Sequence, residues 1–306
     1  MPNLRAVAPS AADTAWFESH PLRYLELPAA TIAYRTIGSG PPLLFLHGWP
    51  FSSLSFRRLA RRLAQRFTCV LPDTPGLGET RWSDATPFAF GAQVATMRAF
   101  VERVGLGRHA ILAHDTGATM ARLLALADPE SVSQLVLLDT EIPGHRPPWI
   151  PTYQLLAALP GTATVFGWLL RSAVYRRSSL GYGPCFHDAR LLDDDFHACF
   201  VAPLLASPQR IEGVLRYVRG IDWTLVDGLA HRHRELRAPV LLVWGADDPV
   251  FPVERARAML PQFAGRAELV VVPDACFLVH EEQSAAVADA TIAFLARAAD
   301  ARAPGS

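Results

Sequence analysis

The stretch LAHDTGATMA, residues 112–121, decides the fold. It joins an apolar run, Ala110–Ala113, to a segment with apolar residues at helical spacing, Gly117–Asp128. Asp115 lies between the two, and the small residues on either side of it permit a sharp turn that larger side chains would obstruct. The pattern predicts a strand, a tight turn and a helix, with a carboxylate presented at the carboxyl end of the strand. The alternative is that Asp115 only caps the following helix.

Strand and helix patterns alternate along most of the chain. Several of the strand patterns are continuous apolar runs, which are typical of strands buried on both faces of a mostly parallel sheet. The alternation therefore predicts a doubly wound α/β sheet with right-handed crossovers. The predicted strands are Arg23–Leu27, Thr31–Thr36, Leu43–Leu46, Thr68–Leu71, Ala110–Ala113, Gln134–Leu138, Val240–Trp244 and Glu268–Val272. The predicted helices are Leu54–Gln65, Ala89–Val104, Gly117–Asp128, Val253–Leu260 and Gln283–Arg297.

The alternation stops after Thr140 and resumes at the apolar segment RAPVLLVWG, residues 237–245. The interruption opens with the proline-rich run EIPGHRPPWIP and contains many aromatic residues in helical patches. Because so long a segment between two strands is rarely a bare loop, we expect an inserted helical cap. The predicted organisation is a core in two parts, 1–140 and 237–300, a cap at 141–236 and a disordered tail at 301–306.

Composition excludes several classes of function. Formal net charge is zero and no basic stripe is present, so nucleic acid is not an expected partner. The N-terminus lacks the apolar core of a signal peptide, and no apolar run approaches the roughly 18 residues of a membrane span. We therefore expect a cytoplasmic monomer or homodimer without membrane contact. Cys185, His187, His197 and Cys199 are zinc-ligand types at an unusual spacing, so no metal is predicted.

A carboxylate on a tight turn suits covalent catalysis, because it can form an ester by attacking an sp³ carbon that carries a leaving group. A second motif, LLFLHGWP at residues 43–50, supports this role for Asp115. Hydrolases with a nucleophile on such a turn build an oxyanion hole from two backbone N–H groups, one of which follows the nucleophile. The matching groups here belong to Thr116 and Trp49, and they would hold the ester carbonyl oxygen while water attacks.

The motifs HGWP, DTPGLGET and AHDTGA resemble, in order and spacing, those of the epoxide hydrolase and haloalkane dehalogenase group of the α/β-hydrolase fold family. The resemblance covers about residues 22–298. It implies a mostly parallel eight-stranded sheet with an inserted cap, an Asp115 ester intermediate and no cofactor. It also implies a small, neutral, largely apolar epoxide or alkyl halide as substrate. Fluoroacetate-type relatives hold a carboxylate with arginines after the nucleophile; Thr116 and Thr119 occupy those turns here, so a small anionic acid is not expected.

The same resemblance implies an acid, and two positions compete for it. Asp248, in the segment GADD, matches the acid after a late strand, and it is the favoured position. Asp139 ends the predicted sixth strand, where some relatives carry their acid.

The base departs from the family pattern. Within VVPDACFLVHEEQ, residues 271–283, Phe277 stands where the family has its histidine. One hypothesis is that a remodelled loop lets His280 reach Asp115. The other is that His280 is a surface histidine at a helix start and that the ordinary hydrolytic step is missing.

The cap should supply a donor for the leaving group. Tyr217 matches a cap tyrosine of the family and slightly favours an epoxide, while Tyr153 and Trp149 are further candidates. Each could instead pack inside the cap. Trp49 could also donate its indole N–H. The sequence thus predicts a hydrolase that uses Asp115. The alternatives are a lyase, cyclase or isomerase on the same fold, or a ligand-binding protein, because the usual histidine position holds Phe277.

Overall fold

A computed structural model of the chain describes residues 11–193 and 196–300, so the predicted tail at 301–306 lies outside the described residues. Eight strands form one sheet in the order β1-β2-β4-β3-β5-β6-β7-β8. Strand β2 is antiparallel to both of its neighbours, and the remaining pairs are parallel. This confirms the predicted mostly parallel, eight-stranded sheet. The strands are β1 (Arg23–Glu26), β2 (Thr31–Ile37), β3 (Pro42–Leu46), β4 (Thr68–Pro72), β5 (His109–His114), β6 (Val132–Leu138), β7 (Val240–Gly245) and β8 (Ala267–Val272).

Helices flank the sheet and fill the chain between β6 and β7. The helices of the core are α1 (Ala11–Glu18), α2 (Arg57–Leu63), α3 (Phe90–Val104), α4 (Thr116–Ala127), α11 (Val253–Met259), α12 (Val279–Glu282) and α13 (Ser284–Asp300). Those between β6 and β7 are α5 (Ile150–Leu156), α6 (Thr162–Arg171), α7 (Ala173–Arg177), α8 (Ala202–Ala206), α9 (Pro208–Gly220) and α10 (Trp223–Arg232). Across 11–193 and 196–300, no helix combines the length and apolarity that crossing a membrane requires.

One predicted helix needs correction, and one observed helix was not predicted. The predicted helix Leu54–Gln65 is a 3₁₀ turn at Ser53–Phe56 followed by α2, which ends at Leu63. Helix α1 was not predicted; of its eight residues only Phe17 is buried, so it shows little of the apolar periodicity on which such predictions depend.

The two faces of the sheet carry separate parts of the core. In β3, Leu43 and Phe45 face one side, where they join a cluster with α2 and α13. Leu44 and Leu46 face the other side, where their cluster is continuous with the apolar interior of the cap. Alternation of side chains along a strand produces this division, and burial on both faces explains why the strands read as continuous apolar runs. The helical segment between β6 and β7 therefore packs against the face of the sheet that Leu44 and Leu46 share.

Candidate active site

The turn after β5 holds Asp115 in a strained backbone conformation, with φ 53° and ψ −130°. Two glycines make this turn possible. A Cβ at Gly117 would lie 2.2 Å from the carbonyl oxygen of Leu46, and a Cβ at Gly48 would lie 2.4 Å from Cβ of Asp115. Both distances are far below van der Waals contact, so neither position accepts a side chain without backbone movement. The Asp115 side chain makes no capping hydrogen bond with α4, which argues against a purely capping role.

Trp49 supplies the first predicted oxyanion donor. Its backbone N–H donates to Oδ2 of Asp115 at 2.9 Å. Its indole N–H donates to the carbonyl oxygen of Val214, in α9 of the cap, at 2.9 Å. The expectation that the indole N–H points into the pocket is therefore wrong, because the cap backbone already occupies it.

His47 links the HGWP loop to the DTPGLGET loop. Its Nδ1 lies 3.0 Å from the carbonyl oxygen of Gly48, and its Nε2 accepts the backbone N–H of Thr74 at 3.0 Å. Burial lowers the pKa of His47, which agrees with a neutral ring that donates from one nitrogen and accepts at the other. The two motifs thus form one rigid support beneath the Trp49 amide.

The Asp115 side chain lines a cavity of about 440 Å³ between the sheet and the cap. The wall is mostly apolar, and α5 and α6 contribute much of it. Leu159, Val165 and Leu180 line the cavity and are also more than half exposed, so the mouth lies on that side of the cap. The predicted site residues that line the cavity are Trp49, Asp115, Thr116, Trp149, Tyr153 and Phe277.

Tyr217 does not line this cavity, contrary to its predicted role as the donor to the leaving group. Its side chain is 1% exposed, and its hydroxyl lies 3.1 Å from Oγ1 of Thr116. It therefore supports the turn that carries Asp115. Tyr153 does line the cavity, and its hydroxyl donates to the carbonyl oxygen of Leu180.

Asp248, the favoured acid, is buried and holds its own loop. Its Oδ1 accepts the backbone N–H groups of Val250 and Phe251 at 2.7 and 3.2 Å, and its Oδ2 has no hydrogen-bond partner. Burial raises the pKa of this carboxyl to about 8.

The alternative acid, Asp139, has a similar environment. It follows β6 with a φ of 28°, its Oδ1 accepts the backbone N–H of Gly245 at 2.8 Å, and its Oδ2 is unpaired. Burial and the charge of Asp248 raise its pKa. The structure thus brings both candidate acids close enough to interact, and neither is among the residues that line the cavity.

Phe277 occupies the wall of the cavity in place of the expected base. Its ring centroid lies 4.6 Å from that of His114 and 5.8 Å from that of Phe251. Nε2 of His114 lies 2.9 Å from the Phe277 carbonyl oxygen and donates to it, and burial lowers the pKa of His114 to about 3. Neither side chain can therefore take a proton from water in the cavity.

His280 is not at the cavity wall. Its side chain is fully buried, with ring centroids 4.9 Å from Phe56 and 4.6 Å from His114. Neither ring nitrogen has a hydrogen-bond partner, and burial lowers its pKa. The idea of a surface histidine is wrong, and the geometry gives no support to His280 as the base. The cause is α12, which begins at Val279 and turns the ring into the protein interior.

We expect His280→Leu to fold and to keep its activity. Replacing a buried group whose polar atoms are unpaired by an apolar one of similar size is neutral or stabilising, here by about 1 kcal/mol. The measurement is thermal unfolding together with turnover. The matched control is His114→Leu, which loses the bond to the Phe277 carbonyl and should be destabilised. Loss of turnover in His280→Leu at an unchanged melting temperature would show that the ring does reach Asp115.

A residue that the sequence did not single out, Glu141, lines the cavity together with Asp115. It is 2% exposed, and its Oε2 accepts the hydroxyl of Thr119 at 2.8 Å and lies 3.1 Å from Oγ1 of Thr140. Burial raises the pKa of Glu141. The available signal was its position just after Asp139 at the end of β6, but the proline-rich run that follows made it look like the first residue of the cap.

Asp115 and Glu141 influence each other. Burial raises the pKa of Asp115 well above its usual range and the negative charge of Glu141 raises it further, while the backbone amides of Thr116 and Trp49 act in the opposite direction. Two carboxylates in one apolar cavity cannot both ionise without cost. The free site therefore favours a single negative charge shared between them.

We expect Asp248→Asn to change how stability depends on pH. Because the folded pKa is about 8 and the usual value is near 3.8, the folded state binds more protons between these pH values, and stability falls as pH rises through that window. Asn removes this loss, so the advantage of the variant should grow from pH 4 to pH 8 by up to about 1.4 kcal/mol per pH unit. Denaturant titrations across this range measure it. The exposed Asp289→Asn serves as control, and parallel curves for wild type and Asp248→Asn would contradict the prediction.

Comparisons with known proteins agree with this architecture. A family model described as alpha/beta hydrolase fold matches residues 41–284. A solved α/β-hydrolase fold protein from Burkholderia ambifaria is 26% identical, with a TM-score of 0.76, and the match covers 90% of this chain and 99% of that one. The resemblance read from the sequence motifs is thereby confirmed at the level of the fold and the family.

Two curated relatives have specific names. The chain is 36% identical over 111 residues to a soluble epoxide hydrolase of Corynebacterium sp. (strain C12). This match covers 36% of this chain and 38% of the relative. The chain is also 26% identical over 294 residues to haloalkane dehalogenase 2 of Mycobacterium bovis. This second match covers 90% of this chain and 94% of the relative. The chain thus spans well under half of the first relative and nearly all of the second.

Proposed function

Because the chain belongs to the α/β-hydrolase fold family, we propose that it is a cofactor-independent hydrolase in which Asp115 forms an ester with its substrate. The observation that carries the proposal is the Asp115 carboxylate on a strained turn, 2.9 Å from the Trp49 amide and facing an apolar cavity. The named relatives, an epoxide hydrolase and a haloalkane dehalogenase, support the reaction class. The proposed substrate is a neutral, largely apolar epoxide or alkyl halide.

The proposed reaction has two covalent steps. An oxygen of Asp115 attacks a substrate carbon, so that a carbon–oxygen bond forms while the bond to the epoxide oxygen or the halide breaks. Water then attacks Cγ of Asp115, and the amides of Trp49 and Thr116 stabilise the negative charge that develops on the carbonyl oxygen. The alcohol leaves with an oxygen from Asp115, and the oxygen of water remains in the carboxylate.

The cap favours an epoxide over an alkyl halide. Tyr153 and Tyr175 both line the cavity; the Tyr153 hydroxyl donates to the Leu180 carbonyl oxygen, so Tyr175 is the proposed proton donor. A hydroxyl can give its proton to the opening epoxide oxygen, whereas a departing halide needs only a donor that keeps its proton. Burial keeps the pKa values of both hydroxyls above the ordinary value, so both stay protonated at neutral pH.

Isotope labelling tests the proposal directly. Excess enzyme is given styrene oxide or 1-bromohexane in ¹⁸O water for a single turnover, and the peptide that contains Asp115 is weighed by mass spectrometry. We expect ¹⁸O in that peptide and unlabelled oxygen in the product, with the peptide that contains Asp139 unlabelled. Label that appears only in the product would mean that water attacks the substrate directly, and no turnover across a panel of both substrate classes would contradict the hydrolase.

A second candidate function is non-hydrolytic chemistry on the same fold, with Asp115 as an acid or base. The observation that favours it is Phe277, which leaves the site without the histidine of the family. A lyase, cyclase or isomerase would produce no label in Asp115. Cytoplasmic location and a monomeric or homodimeric state stay predictions from the sequence.

A further inference from the structure

Hydrolysis of an Asp115 ester requires a group that takes a proton from water, and the cavity contains few candidates. Phe277 has no basic atom. Among the described residues that line the cavity, the titratable side chains besides Asp115 are Glu141, Cys185 and the tyrosines. Burial raises the pKa values of Cys185 and of the cavity tyrosines, which makes their ionised forms scarce at neutral pH. Glu141 is thus the one remaining carboxyl at this wall.

Glu141 is held in place by a buried polar network. Arg122 is fully buried, and its Nη2 donates to Oγ1 of Thr119 at 2.6 Å, to Oγ1 of Thr140 at 3.0 Å and to the Glu141 carbonyl oxygen at 2.9 Å. The same two hydroxyls contact Oε2 of Glu141. The guanidinium charge therefore acts on the carboxylate through short, fixed contacts and favours its ionised form.

The network also connects Glu141 to the nucleophile. Oγ1 of Thr140 donates to the Asp115 carbonyl oxygen at 2.8 Å and lies 3.1 Å from Oε2 of Glu141. One hydroxyl thus separates the Glu141 carboxylate from the Asp115 backbone. Both side chains line the same cavity, so water in that cavity has access to both carboxyl groups.

We propose that Glu141 is the general base that activates water for hydrolysis of the Asp115 ester, in place of a histidine at position 277. This inference rests on the proposed function, because it concerns the second step of that reaction. Esterification removes the negative charge of Asp115, so the repulsion between the two carboxylates ends when the base is needed. Glu141 then releases to solvent the proton that the pair shared, and it carries the single negative charge of the site.

The proton balance of the step is complete. Glu141 takes a proton from water as the water oxygen bonds to Cγ of Asp115. The tetrahedral intermediate collapses by breaking the bond between Cγ and the alkyl oxygen, and the proton on Glu141 passes to the departing alkoxide. The second proton of the water stays on the pair of carboxyls, so the site returns to the single negative charge that Asp115 and Glu141 share.

The first test is Glu141→Gln with an excess of styrene oxide or 1-bromohexane, followed by intact mass over time. Gln keeps the shape and can accept from Thr119, but it cannot take the proton. We expect one substrate adduct per chain to accumulate on Asp115, and turnover to fall by about 10²- to 10⁴-fold. The matched control is Glu212→Gln on α9, a side chain that is 40% exposed and outside the cavity, and it should behave as the wild type.

The outcomes separate the two proposals. If the wild type turns over with ¹⁸O in Asp115 while Glu141→Gln turns over equally fast without adduct, the function stands and Glu141 is not the base. A stable adduct on the wild type would also overturn the role of Glu141, since no base would then operate. A wild type with neither adduct nor turnover contradicts the proposed function itself.

A second variant guards against a Gln variant that fails to fold. Glu141→Ala opens space for a small carboxylate, so added formate should accelerate decay of the adduct in a concentration-dependent way. Formate should not change the decay in the wild type or in Glu212→Ala. A folded Glu141→Ala protein whose adduct decays at the wild-type rate without formate, or whose slow decay ignores formate, would overturn the proposal.

Discussion

Asp115→Asn is expected to abolish turnover, with a fall in kcat/KM of about 10⁴-fold or more, because it removes the proposed nucleophile and with it the pathway through the ester. The amide has the shape of the carboxylate and its oxygen can still accept the Trp49 N–H. We therefore expect no loss of thermal stability, and some gain at alkaline pH, since the variant no longer carries a buried carboxyl with a raised pKa.

The measurement is steady-state hydrolysis of both substrate classes beside a thermal melt. Asp289→Asn, an exposed carboxyl on α13, is the control for the chemistry of the substitution. A variant that folds and retains more than about a tenth of wild-type kcat/KM would exclude Asp115 as an obligatory nucleophile, since a tenfold change corresponds to only about 1.4 kcal/mol.

Phe277→His restores hydrolysis to the Glu141→Gln protein. The phenyl ring lies on the cavity wall that Asp115 shares, so an imidazole that follows the same direction places a base in the cavity. The unpaired Oδ2 of Asp248 is the acceptor that the ring N–H would need to reach. We expect decay of the adduct to accelerate by about 10²-fold, within the usual range for general base catalysis.

The measurement is the lifetime of the adduct by rapid quench and mass spectrometry in Glu141→Gln with and without the second substitution. Phe277→Leu in the same background is the control, because it opens the wall without adding a base. Equal acceleration by Leu and His would mean that access of water, not a base, limits the step. No acceleration by His would show that the ring does not reach the ester.

The sheet could be predicted from the sequence because local patterns determine it. Runs such as Leu43–Leu46 and Val240–Trp244 are apolar on both faces, which only a strand covered by helices on both sides requires. The turn at Asp115 was also predictable, since small residues surround an acid between a strand and a helix. These signals are contained within a few residues, and the structure reproduces them within one or two positions.

The side chains whose direction depends on distant contacts were not predictable. His280 faces the interior because α12 begins at Val279, a detail that no local pattern indicates. The Tyr217 hydroxyl is taken up by Thr116, about one hundred positions earlier in the chain. Glu141 becomes a cavity residue only because hydroxyls on α4 and after β6 bind it, so its place in the site follows from tertiary packing.

The hydrogen bond from the Trp49 indole to Val214 has a consequence for how substrate enters. Trp49 joins α9 to the amide that contacts Asp115, and Tyr217 of α9 contacts Thr116, so an outward swing of α9 would disturb both neighbours of the Asp115 carboxylate. A route that opens between α5 and α6 leaves this joint intact, and the exposed Leu159 and Val165 mark that side. Substrate can therefore enter between α5 and α6 while the contact between Trp49 and α9 is kept.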